Sequence, residues 1–161
     1  MNAAHLHIIL VHVPVVLVPV GCVILLFALL RKQEVVSRVA LSILVFATLL
    51  AVPAFLLGEG AEEIAKNLPG VTEQMIEEHE EAADVAFWLT VATGLLSLTT
   101  LSQVLRGSAW HSRTMSACAL LACVASGALG YAAHEGGKIR HPEAYAVAAG
   151  SETQGASDND R

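Results

Sequence analysis

The chain has 161 residues, of which 55% are hydrophobic and 15% charged, with a formal net charge of −6. A soluble domain would carry about 25% charged residues, and here the charges gather in short clusters between long apolar runs. That pattern excludes an ordinary soluble domain, offers no basic surface to nucleic acid, and fits one integral membrane domain.

Four runs can cross a hydrocarbon core, which needs roughly 20 helical residues. Lipid cannot satisfy backbone polar groups, so each run must be helix. The first, residues 6–30, follows His5, carries His7 and His12 near its start, and contains Pro14 and Pro19. A cleaved signal peptide is the competing reading, but the run lacks a basic leader and an Ala-x-Ala site, and its apolar part is too long. The second run, 35–58, is reached through residues 31–34 alone, and so short a connection makes the two helices antiparallel neighbours. Its Pro53, like Pro14 and Pro19, lacks an N–H, frees a carbonyl one turn back and should bend its helix.

The connection over 58–84 sets Glu59, Glu62, Glu63, Glu73, Glu77, Glu78, Glu80, Glu81 and Asp84 against Lys66. It reads as a short helix stopped at Leu68-Pro69-Gly70 and restarted at Thr72, a hydroxyl N-cap with acidic Glu73 in the first turn. No breaker follows, so this helix should begin in water, carry His79 about one turn above the membrane interface, and continue into the third run, 82–105. A basic turn over 106–113 leads to the fourth run, 114–134, which ends in "AAHEGGKIRHPE". The tail, 145–161, is polar and aperiodic and reads as disordered. The expected fold is all-α, a four-helix transmembrane bundle occupying residues 1–144.

Arg31, Lys32 and Arg38 flank the first turn, and Arg106 and Arg113 the third, so both turns should face the cytoplasm. Both termini and the acidic connection then lie on the periplasmic side of a bacterial inner membrane, although Lys138 and Arg140 run against the rule. This topology carries His5, His7, His12, His79, His134 and His141 to one outer level and leaves only His111 inside. Cys22, Cys118 and Cys123 fall within spans, where small cysteines pack as apolar residues. No CxxCH is present for covalent haem attachment, and no CxxC knuckle, P-loop or GxGxxG.

Facing follows from a step of about 100° per residue. Ala83, Ala86, Thr90, Thr93, Ser97 and Thr100 form a stripe of small residues that His79 shares. Ala119, Cys123, Gly127 and Gly130 form another, which His134 continues. Small faces are where membrane helices pack closely, so His79 and His134 should turn inward. His12 should meet them, because an imidazole at that depth needs a partner. His5, His7 and His141 read as amphipathic residues with their tips in water. The glutamates over 77–81 read as a solvated face, with Glu80 or Glu135 available to orient a histidine.

"AAHEGGKIRHPE" resembles the carboxyl-terminal signature of a family of small four-helix bacterial membrane proteins named only as domain of unknown function 2231. The opening "HLHIILVHVPVVLVPVG" is similar to that family's start, a histidine-bearing segment running into a proline and an apolar helix. The likeness covers residues 4–144 and implies four spans, but no activity.

Three functions fit these residues. In the first, a b-type haem takes axial imidazoles from His12 and either His79 or His134, as histidines on facing bundle helices can. Gly136 and Gly137 would let backbone approach a propionate and then let the chain turn away, while Lys138 or Arg140 pairs with its charge. Such a protein would transfer electrons to a periplasmic redox protein or a respiratory-complex subunit. In the second, His12, His79 and His134 hold zinc or copper. In the third, the chain is a membrane subunit or anchor, with or without self-association, whose histidines bond helix to helix. No catalytic constellation is readable.

Overall fold

A computed structural model describes residues 2–108 and 111–141. These residues form α1 (Ala3–Arg31), α2 (Glu34–Leu56), α3 (Gly58–Ala65), α4 (Glu73–Leu105) and α5 (His111–Arg140). All but α3 are long and apolar enough to cross a membrane, which makes the chain a multi-pass membrane protein in contact with lipid. The tail read as disordered lies outside the described residues.

The helix boundaries follow local chemistry. The Asn2 side chain accepts from the His5 amide at 2.9 Å and caps α1. Thr72 caps α4 as its sequence position predicts, its hydroxyl oxygen accepting from the Met75 amide at 3.3 Å. Lys32 ends α1 in the left-handed conformation, φ 54°, with its amide turned back to the Ala28 and Leu29 carbonyls. The fourth helix does not stop with its apolar run at His134. α5 runs through Gly136 and Gly137 to Arg140, so the glycines do not turn the chain away. Each glycine costs a helix up to about 1 kcal/mol. Offsetting this, Lys138 and Arg140 lie in the last turn, where cations suit the helix dipole.

In the bundle α1 packs on α2, α2 on α4, α4 on α5 and α5 on α1, while α3 lies against α1. The short turns at the basic end carry Arg31, Lys32, Arg38 and Arg106. The opposite, acidic end carries α3, the glutamate-rich start of α4 and the last turn of α5.

Residue size is distributed inside out. Val23, Trp88 and Leu120 are 66%, 64% and 69% exposed, whereas Thr90, Thr93, Ser97 and Thr100 are wholly buried. Lipid removes the penalty for apolar exposure, and small residues let helix backbones approach. Buried hydroxyls still need acceptors, and those of the threonines are found on their own helix. Thr90, Thr93 and Thr100 each donate at 2.7 Å to the carbonyl four residues back. Thr48 also reaches across, its hydroxyl 3.0 Å from both the Leu44 and the Thr90 carbonyls, which ties α2 to α4.

That crossing admits only glycine at position 94, where a Cβ would lie 2.3 Å from Thr48 Oγ1 and 2.6 Å from Thr48 Cβ. Thr48 is branched at Cβ and cannot swing clear. Gly94→Ala should therefore destabilise the bundle by about 1–3 kcal/mol, read as a lower midpoint in thermal unfolding in detergent. Gly127→Ala, where a Cβ meets nothing within 4 Å, should not.

The seam between α1 and α5 is closed by Cys22 and Cys123, whose sulfurs stand 3.1 Å apart, and Cys22 also faces the Ala119 carbonyl. Copper–phenanthroline oxidation of native membranes should join the two, reducing the three free cysteines to one titratable thiol. Persistence of all three thiols would mean that the first and last helices do not meet there.

Candidate functional site

Histidines from α1, α4 and α5 gather at the acidic end, but they do not form one cluster. His79 turns inward as expected. Its half-buried ring donates through Nδ1 to the Ala132 carbonyl at 3.0 Å, which joins α4 to α5. The ring rests on Gly136, where a Cβ would lie 2.9 Å from Cε1 and 3.3 Å from Nδ1. The first glycine of the "HEGG" stretch is thus the seat of an imidazole from another helix.

His7 also turns inward, against the amphipathic reading, and donates through Nδ1 to the Ala54 carbonyl at 2.8 Å. The facing follows from helix spacing. His7 precedes Pro14 by seven residues and so shares its face to within about 20°, and Pro14 is buried. His7 straps α1 to the end of α2, as His79 straps α4 to α5.

His79 stands before the apolar segment of α4, with Glu80, Glu81 and Asp84 between it and that segment and Glu77 and Glu78 on its other side. Burial lowers its affinity for a proton, and neighbouring His7 acts in the same direction. The Ala132 carbonyl and Glu135 oppose both.

His12 and His134 lie on the outer surface of the bundle. His12 donates through Nδ1 to the Ile8 carbonyl of its own helix, a tautomer that leaves the Nε2 lone pair free. The trio His12, His79 and His134 is therefore not brought together, and the reason lies in α5. Its packing face runs through Cys118, Ala122, Ala125, Leu129 and Ala132, whereas Cys123, Gly127 and Gly130 are exposed. Both faces are built of small residues, so size alone could not choose between them. The stripe on α4, by contrast, is buried from Ala86 to Thr100 as its pattern requires.

The carboxylates offered as orienting groups have other partners. Glu135 is only 3% exposed, and its two oxygens stand 2.9 and 2.7 Å from Lys138 Nζ. Lys138 holds the Glu135 carboxyl below the usual carboxylate range, and Glu135 raises the lysine in return. Glu80, in the polar stem of α4, is bonded to Glu62 of α3 and is raised by that contact. Lys66, followed by Glu80, holds Glu62 low. Arg140 is exposed at the end of α5. Among the described residues no three His, Cys, Asp or Glu side chains are placed to hold a metal ion.

No family model, no curated protein and no solved structure matches this chain.

The Gly136 seat is testable by titration. In Gly136→Ala the new methyl displaces the His79 ring, the movable partner, and the bundle still folds. The ring loses burial, which lowers its pKa, and the carbonyl contact, which raises it. Burial is the larger influence, so the His79 pKa should rise, measured from its imidazole proton shifts against pH. An unchanged titration would mean that the ring does not rest there.

Proposed function

We propose that this is an integral membrane b-type haem protein that passes electrons at the acidic end of the bundle, with that end on the periplasmic side. The carrying observation is the position of His12 and His134 beside the seam between the first and last helices. From the Cys22–Cys123 contact, they lie about 15 and 16 Å towards the acidic end at 1.5 Å per residue, and so at one height. His134 points within about 20° of Cys123, and His12 about 80° from Cys22. Both rings are exposed.

The residues between them fit a flat macrocycle. A Cβ at Gly127 or Gly130 would meet nothing within 4 Å, so the α5 face below His134 is open. Two imidazoles would suffice to hold haem iron, whereas structural zinc takes four ligands; the haem reading is therefore favoured over a bare ion. His7 and His79 do not fit as the pair that would hold it, because the His79 ring is already seated on Gly136. Their part is to hold the helix ends.

Bound haem would supply reversible one-electron exchange, and this chain's residues would position it. The Ile8 carbonyl fixes the His12 tautomer. Lys138, one turn beyond His134, or Arg140 would face a propionate, and Gly137 would allow close backbone approach. The basic turns support the inner-membrane orientation. A periplasmic redox protein or a respiratory subunit would be the electron partner. Membership of the domain of unknown function 2231 family belongs to the same reading and rests on the two terminal motifs.

Purified protein should show a Soret band that sharpens on reduction. His12→Ala and His134→Ala should each abolish it, and His5→Ala should leave it intact. Protein that stays colourless after haem is supplied during expression would sink the proposal.

A further inference from the structure

At the basic end, the exposed side of α2 carries a shallow groove lined by Arg38, Val39, Ser42, Ile43 and Phe46. Positions 38, 42 and 46 are one turn apart, as are 39 and 43, so the groove follows the helix. It runs about 12 Å from the polar boundary into the apolar segment. Arg38 stands at its mouth, where one guanidinium nitrogen pairs with Glu34 and Nε is buried without a hydrogen-bond partner. Arg31 and Lys32, at the end of α1 beside it, make this rim cationic. Deeper in, the lining becomes apolar, and Val39 and Phe46 are 52% and 53% exposed.

Cationic donors at headgroup depth, a hydroxyl below them and an apolar channel at acyl depth follow one another in the order of a phospholipid's own chemistry. The structure assigns this groove to an anionic phospholipid, its phosphate on Arg38 and an acyl chain along Val39, Ile43 and Phe46. Charge complementarity selects an anionic headgroup: Arg31, Lys32 and Arg38 outweigh Glu34 at the rim, and basic residues at a membrane boundary attract anionic lipid. Arg38 adds direction to that attraction, because a charge-assisted hydrogen bond to a phosphate oxygen is directional.

The test uses the full chain in nanodiscs of equal phosphatidylglycerol and phosphatidylethanolamine, released into the gas phase so that retained lipids are counted per chain. Wild type should retain one phosphatidylglycerol, several-fold enriched over phosphatidylethanolamine. Arg38→Gln should lose that enrichment. Val39→Trp, which fills the channel from a lipid-facing position and leaves Arg38 in place, should lose the retained lipid altogether. Equal retention of the two lipids by wild type overturns the assignment, as does undiminished enrichment in Arg38→Gln. A wild-type dimer that Val39→Trp dissociates overturns it as well, by placing a second copy of the chain on this face.

Discussion

The fold depends on helix backbones coming close enough for short side chains to fill the space between them. In water the interior would be filled with leucine and phenylalanine. Here those residues face outward, and the interior is alanine, threonine and serine with a few aliphatic anchors such as Val18, Leu25, Leu41 and Leu44. The contact of Gly94 with Thr48 is its tightest expression. Because the threonine hydroxyls are satisfied four residues back on their own helices, the α4 interior tolerates polar atoms without a cross-helix network. Thr48 to the Thr90 carbonyl, and Ser97 to Cys118 at 3.0 Å, are added ties between helices that size has already brought together.

The acidic end works differently. Small residues still meet there, as Gly60 does Ala3, and imidazoles are added to them. His7 reaches from α1 to α2, and His79 from α4 to α5. Each bonds a backbone carbonyl of the neighbouring helix. These two rings tie neighbouring helices together, whereas His12 and His134 lie on the outer surface of the bundle.

Length and hydropathy made the four spans legible, and a threonine before a glutamate located the start of α4. The buried face of α4 was legible because hydroxyl residues alternate there with large apolar ones. α5 lacks that contrast. Alanine, cysteine, serine and glycine surround it, so the face carrying Cys118, Ala122 and Ala125 and the face carrying Cys123, Gly127 and Gly130 are equally plausible in size. The wrong choice carried His134 inward with it. His7 was missed for a related reason: an imidazole near an apolar boundary looks the same whether its tip meets water or a neighbouring carbonyl. The run of α5 through Gly136 and Gly137 was hidden because a tertiary contact, the His79 ring, is what requires the first of them.

The unbroken course of α4 from Glu73 to Leu105 has a mechanical and electrostatic corollary. Its apolar part begins at Ala82, so nine residues stand above that point as a stiff mast about 13 Å tall. Charges at its tip lie farther from the hydrocarbon than the screening distance of roughly 8 Å in physiological salt. Glu73 therefore presents its field to dissolved cations and approaching proteins almost independently of the lipid headgroups beneath. A push on that tip would reach the Gly94 crossing without an intervening hinge.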